Sequence, residues 1–580
     1  AAQCLITENW PPDAKICNYD VFDFIIIGAG SAGCVVANRL TENKKVRVLL
    51  IEAGGDPPVE SIIPAMDKAL FTSPYNWNYT TAYDERINHG NINERCPWPR
   101  GKMLGGSSSI NAMVYMRGNK HDYLRWYNEG NKEWHPDIVK KYFHKAEHFQ
   151  DLRYKDTEID NLYGHNGSLV INTFNYTDRI LTDNVLSAWK DIGITTVPDL
   201  NGPEVTKAGI IRATAYDGKR ESSSKAYLNP IRNRRNLKVI KHTLATKVLV
   251  NAMNFAYGVE VIKDNIKRRY IAVKEVIVSA GSINTPQLLM LSGIGPKEEL
   301  SKFNITVVAD LPVGKYLQDH LIVPVTIYGN DNMTENPADT HFNAIKYLYN
   351  RKGSLAQISF TDIVSFYTNN QNLDYPIYQN HFVHFPKESS KVRRQFSSYK
   401  EEILNSALEL NKNYSLYLHL FILLHPFSRG QITLQSTDPN IHPLIYSKSF
   451  IDERDLNNTA KGIKMITEVV HSKYFQSIGG FVGRLNWGPC NSLKLDSFEY
   501  WKCIAKDLVT TVFHPIGTAR MGISSTNSVV DSRLRVHGVK NLRVVDASIM
   551  PNEISGNTNG PVIMIGERGS DLIREDNNLY

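Results

Sequence analysis

Two short apolar runs stand out in the first part of this chain, Phe24-Ile25-Ile26-Ile27 and residues 46–51. Between them lie Gly28-Ala29-Gly30-Ser31-Ala32-Gly33 and then Cys34-Val35-Val36-Ala37-Asn38-Arg39-Leu40. Short, continuous, β-branched runs are typical of parallel strands buried on both faces. The segment predicts strand, tight turn, helix, strand. Further on, residues 136–147 have helical spacing, with Pro136 suited to a first turn. Residues 237–250 alternate apolar and polar and read as paired strands, with 256–261 and 270–278 continuing the same sheet. Strand patterns recur at 358–367, 375–385 and 430–435, and 452–471 has helix character. Residues 1–20 form an arm with Pro11 and Pro12 and no periodicity; no internal repeat or low-complexity tract is visible.

The glycine turn carries chemistry. Gly28 permits the tight turn, Gly30 lets backbone approach a pyrophosphate, and Gly33 lets the helix pack close to its strand. The helix N-terminus presents free N–H groups to phosphate. Glu52 closes the second strand, placed to accept hydrogen bonds from a ribose diol. An acid there suits a free 2′-hydroxyl and disfavours NADP; FAD and NAD both remain. A second turn, Gly101-Lys102-Met103-Leu104-Gly105-Gly106-Ser107-Ser108-Ser109, offers amides and hydroxyls at close range and suits phosphate or a flavin edge.

The totals narrow the class. At 580 residues, two intimately joined domains are expected. With 42% apolar and 22% charged residues the chain is globular and not largely disordered. The net charge of +7 is mild for this length, and the basic residues are scattered, which argues against nucleic acid as a partner. No apolar run is long enough to span a bilayer. The start Ala1-Ala2-Gln3 suggests a mature chain after cleavage or an edge set by cloning. Sequons at Asn78, Asn166, Asn175, Asn304, Asn332, Asn413 and Asn457, with Cys4 and Cys17 near the start, lean toward secretion. Six cysteines leave the pairing open; Cys490 with Cys503 is the best local choice. No metal-ligand spacing and no nucleophile elbow is present.

Residues 101–115 resemble the first signature of the glucose–methanol–choline oxidoreductase family, and Gly281-Ser282-Ile283-Asn284-Thr285-Pro286 is similar to the start of the second. Phe513-His514-Pro515-Ile516-Gly517, Val545-Asp546-Ala547-Ser548 and Ser555-Gly556-Asn557-Thr558-Asn559 supply the remaining anchors, in family order. The vocabulary of the loops resembles the insect, secreted branch. The resemblance implies an α/β fold: a Rossmann-like FAD-binding domain with an α+β substrate domain built on an antiparallel sheet. Residues 1–20 would be the arm and 21–319 mainly the FAD-binding domain, with lid and substrate-domain insertions around 60–230. Residues 320–510 would be mainly the substrate domain, and 511–580 would return to the FAD domain.

The same resemblance implies which residues meet the cofactor. Gly28, Gly30, Ser31, Ala32 and Gly33 would hold the pyrophosphate side, with Glu52 and Ala53 at the adenosine ribose. Trp77, Arg100, Gly101, Met103, Gly105, Gly106, Ser107, Asn111, Ala112, Met113 and Val114 would wrap the pyrophosphate and ring. Val248 would flank the adenine. Ala280, Asp546, Ala547 and Thr558 would close the ribityl and ring side. Some members carry a His at the Asn111 position that bonds the flavin; Asn cannot, so the FAD is expected to be non-covalent. His514 is expected to take the proton of an alcohol hydroxyl, and Asn557 to hold its oxygen. His514 precedes Pro515, which favours extended backbone over helix. Asp319-His320 reads as a structural turn near the flavin. Among Tyr378, His381, Phe382, His384 and Phe385, alternate residues should line the pocket. The implied partners are a small-molecule alcohol and O₂ or a quinone, with no membrane span and an open oligomeric state. A hydroxynitrile lyase of the same fold and a flavin-holding protein with a dead site are the readings from other classes.

Overall fold

The computed structural model describes residues 8–174, 179–334, 338–358 and 360–579. Cys4 and the sequon at Asn175 lie outside them. In chain order the elements used below are β1 (Val21–Ile27), α1 (Ser31–Leu40), β2 (Val48–Ile51), β3 (Lys207–Ile210), β4 (Leu237–Ile240), β5 (Thr243–Val250), β6 (Ala256–Lys263) and β7 (Ile266–Val278). Then follow α2 (Gly281–Leu291), β8 (Leu321–Gly329), β9 (Ile363–Tyr367), β10 (Tyr378–Phe385), β11 (Ser415–Leu423), α3 (Glu453–Thr467), α4 (Phe498–Leu508), β12 (Leu542–Val544) and α5 (Asn559–Asp576).

Two seven-stranded sheets organise the chain. The first has the order β4-β2-β1-β7-β6-β5, with β12 also pairing β7. Its β4, β2, β1, β7 and β12 run parallel. The register sets Ile27 beside Ile51 on one side and beside Val278 on the other. Every residue of β2 is buried, as a strand covered on both faces requires. Helix α5 lies on α1 so closely that a Cβ on Gly566 would sit 2.9 Å from the Val35 Cβ.

The paired reading of 237–250 is corrected. β4 lies parallel on β2 at one edge, whereas β5 pairs antiparallel with β6 at the other end of the order. The break comes at His242, which turns with φ 50° while its N–H donates to the Gly54 carbonyl. Continuous alternation hid a change of partner.

The second sheet is antiparallel. Its order is Phe481–Val482, β8, β11, β10, β9, β3, with Thr510–Thr511 also pairing β8. α3 covers one face, where a Cβ on Gly462 would meet the Phe421 ring at 2.6 Å. The Cys490–Cys503 disulfide forms, tying α4 to the short turn before it. Among the described residues no helix is long and apolar enough to cross a membrane.

Candidate active site

The parallel strands end at a cavity of about 710 Å³ that continues to the face of the second sheet. The three glycines divide their tasks there. Gly28 has φ +99°, and a Cβ on it would sit 2.4 Å from the Ser279 carbonyl oxygen. A Cβ on Gly33 would sit 1.9 Å from the Gly28 carbonyl oxygen, so helix and turn are in backbone contact. A Cβ on Gly30 would meet no protein atom closer than 4.0 Å; the opening there is toward the cavity. No side chain caps α1, which leaves its first N–H groups available to an anion. The second glycine turn packs onto the first: the Gly105 N–H donates to the Ala29 carbonyl, and a Cβ on Gly106 would lie 2.8 Å from the Gly30 Cα.

Glu52 sits at the floor, accepting from the Ala29 and Gly54 N–H groups at 2.9 Å each. Burial pushes its carboxyl up to about 7, against the pull of those amides and Lys102. Asp546 accepts from the Gly281 N–H at 2.8 Å and the Thr285 hydroxyl at 2.6 Å, pinning the start of α2 at the cavity edge. The Asn111 side-chain oxygen accepts from the Met113 N–H and the Arg220 guanidinium at 3.0 and 2.7 Å, so its own amide is fixed in place.

Of the cofactor residues expected from the sequence, four do not border the cavity. Gly33 serves packing, as above. Gly105 shapes the loop, with φ +86°. Met103 is fully buried in a small cluster with Leu70 and Ile110. Val248 is buried inside the first sheet, and its N–H donates to the Ser292 hydroxyl at 2.8 Å. Thr243, Leu244 and Ala245, at the start of the same strand, line the cavity instead. The remaining expected residues, including Trp77, Arg100, Asn111, Ala280, Ala547 and Thr558, all border it.

At the far end His514 and Asn557 come together. Asn557 Nδ2 lies 3.4 Å from His514 Nε2, and its Oδ1 accepts from Gln379 at 3.2 Å, which fixes the amide with its nitrogen toward the imidazole. The loop carrying His514 is tightly held. Phe513 has φ 65°, uncommon for an aromatic residue, and its N–H donates to the Thr511 hydroxyl at 2.6 Å. The His514 N–H donates to Asp319 at 2.9 Å, and Arg100 donates to the Phe513 carbonyl at 2.7 Å. Asp319 thus holds the backbone of the residue that carries this imidazole.

The imidazole's own partner is His320, whose Nδ1 lies 2.9 Å from His514 Nδ1. His320 Nε2 faces the Ile554 carbonyl at 3.1 Å. A carbonyl can only accept, so the His320 proton is on Nε2 and its Nδ1 is bare. His514 must then carry its proton on Nδ1, and its Nε2 lone pair faces the cavity beside Asn557. Burial first, and then His320, Arg100 and His381, hold His514 well below the ordinary imidazole range, so at rest it is neutral and a proton acceptor. Nothing in the local sequence pattern flagged Gln379. The Leu317-Gln318-Asp319-His320 turn was visible, but not its contact.

On β10, His381 alone of the five residues considered borders the cavity. Tyr378 and Phe382 turn to the opposite face, where Tyr378 meets the Phe421 ring at 5.4 Å. His381 stands beside Leu420 and, one strand further, Pro324. With Ile322, Phe360 and Leu418 these make an apolar wall.

Residues 22–322 match the N-terminal and residues 426–566 the C-terminal model of the GMC oxidoreductases. The chain belongs to the GMC oxidoreductase family. It is 38% identical to an ecdysone oxidase of Bombyx mori over 586 residues, covering 99% of this chain and 85% of that one. It is 36% identical to a glucose dehydrogenase [FAD, quinone] of Drosophila melanogaster, covering 95% and 87%. Among solved structures, a formate oxidase of Aspergillus oryzae superposes with a TM-score of 0.84 at 28% identity, covering 97% of this chain and 100% of that one. GMC oxidoreductases bind FAD, and this one is an FAD-dependent oxidoreductase of CH–OH groups. The residues fit the cofactor: an open cradle at Gly30, an uncapped helix start and a carboxyl at Glu52 lie along one cavity that ends at His514.

Proposed function

We propose that this GMC oxidoreductase oxidises an alcohol carried on a largely apolar skeleton, with His514 as base, Asn557 holding the oxygen, and O₂ as electron acceptor. One observation carries the reading: the chain from Ile554 through His320 leaves His514 Nε2 bare, 3.4 Å from the Asn557 amide, inside the cofactor cavity. FAD, when bound, supplies the hydride acceptor for the carbinol carbon. His514 Nε2 takes the hydroxyl proton. The Asn557 N–H stabilises the charge that grows on the oxygen. The wall of Ile322, Pro324, Phe360, Leu418 and Leu420 supports an apolar skeleton, because each sugar hydroxyl buried there without a partner costs about 1–3 kcal/mol. The ecdysone oxidase among the relatives supports an oxidase. We take 21–319 with 511–580 as the FAD-binding part and 320–510 as the substrate part.

Secretion as a glycoprotein is part of the same proposal, supported by the disulfide and by the exposed sequons Asn78, Asn166, Asn304, Asn332 and Asn413. The FAD is held without a covalent bond, since Asn111 offers no ring nitrogen. Acid precipitation should leave all the yellow colour in the supernatant; colour retained in the pellet would contradict this.

The test of the activity is anaerobic mixing with apolar alcohols and with sugars, followed by air. Bleaching of the flavin by apolar alcohols, with rapid recovery and peroxide in air, is expected. Bleaching that persists in air but is relieved by a quinone would make the enzyme a dehydrogenase. No bleaching by any alcohol would favour the lyase or the dead site.

A further inference from the structure

One buried acid takes no part in the site as described so far. Glu553 is 1% exposed, and neither carboxyl oxygen has a hydrogen-bond partner within hydrogen-bonding geometry among the described residues. Its Oε2 lies 3.3 Å from His320 Nε2, the nitrogen already shown to carry a proton. On the other side of the same ring, His320 Nδ1 meets His514 Nδ1 at 2.9 Å. Carboxyl, imidazole and imidazole are therefore neighbours in series, with the His320 Nε2 hydrogen bond itself going to the Ile554 carbonyl, and the first two are almost fully buried.

We propose that Glu553 is a positioning residue for the base: as a carboxylate it acts through His320 to stabilise the imidazolium formed when His514 takes the proton. The proposal rests on His514 being that base. In the step, the alcohol O–H bond breaks and the proton bonds to His514 Nε2, so the ring gains one positive charge. His514 Nδ1–H then donates more strongly to His320 Nδ1, and His320 Nε2–H toward Glu553 and the Ile554 carbonyl. The groups already around His514 oppose this charge: Arg100, His320 and His381 each disfavour its cationic form. A negative charge at the end of the line offsets them. Asp319, which accepts from the His514 backbone, is the other acid nearby.

The role is conditional on pH. Glu553 faces Arg429 from one loop, Arg125 and Asp122 from the helix at Lys120–Asn128, and Asp319 and His320 from the turn before β8. The two arginines favour its charged form; burial and the two acids oppose it, and burial dominates, holding the carboxyl well above the ordinary glutamate range. Activity that needs the carboxylate is lost as pH falls through that raised value.

Glu553→Gln is isosteric with the protonated acid at every pH. Anaerobic flavin reduction by a saturating alcohol should give profiles for wild type and E553Q that meet at acid pH. They should diverge by about tenfold or more above the titration, one pH unit of base strength being worth tenfold. Full FAD content and an unchanged melting temperature in E553Q would exclude a merely structural effect. Parallel profiles over the whole range, or no difference, would overturn the proposal. Should E553Q fail to load FAD, His320→Gln breaks the same line at its middle and should flatten the same limb; a limb retained there would also overturn it. A wild type that no alcohol bleaches would instead sink the reading of His514, so the two failures are distinguishable.

Discussion

Replacing His514 with alanine should slow anaerobic flavin reduction by about 10²–10⁴-fold, the range typical for loss of a positioned base. That corresponds to about 3–5 kcal/mol of barrier. The cofactor should remain, because the imidazole's hydrogen-bonding contacts are His320 and Asn557 and not Glu52 or the glycines of the turn. The fold should weaken only modestly. Truncation leaves His320 Nδ1 without its donor in a buried place, a cost of about 1–3 kcal/mol. Stopped-flow absorbance with a bleaching alcohol, alongside FAD content, measures both effects. A loss under tenfold with FAD fully bound would mean that another group takes the hydroxyl proton.

How much of this was legible beforehand differs from part to part. The β1-α1-β2 unit was readable because both faces of its strands are covered, so each strand is a continuous apolar run bounded by glycine. The segment 237–250 was misread for the complementary reason. Alternation reports which face is buried but not which strand lies alongside, and the left-handed turn at His242 leaves no hydrophobic signature. In the site, His514 and Asn557 could be singled out because they lie in contiguous motifs, and the fold brings them within 3.4 Å of each other. Val248 does not border the cavity whereas Thr243 to Ala245 do, because position along β5 decides which residues reach it. His320 meets His514 across 194 residues of sequence and Gln379 meets Asn557 across 178, and Glu553 is likewise distant in sequence from the His320 it faces. Only the folded topology, with β8 and β10 brought against the loop after Met550, places them together.

The glycine turn gives the second large effect, and it separates two glycines to which the motif assigns different tasks. Gly30→Ala should fold as well as the parent. Its φ of −81° suits alanine, and the new Cβ has no protein neighbour within 4.0 Å. That space opens on the cavity, and if the pyrophosphate lies there as the motif implies, FAD affinity should fall about tenfold to a hundredfold, equivalent to an overpacking cost of about 1–3 kcal/mol. Gly33→Ala meets the protein itself. Its Cβ would lie 1.9 Å from the Gly28 carbonyl oxygen, far inside contact distance, and the obstacle is backbone that no rotamer change can clear. Alanine's better helix propensity returns about 1 kcal/mol, too little to offset a forced separation of helix and strand. The apoprotein of Gly33→Ala should therefore melt lower and also bind FAD poorly, since the displaced Gly28 carries the turn. Thermal unfolding of both apoproteins, with FAD titration of each, separates the cases. Equal melting temperatures for the two variants would show that α1 can shift without cost and that Gly33 is not a packing residue.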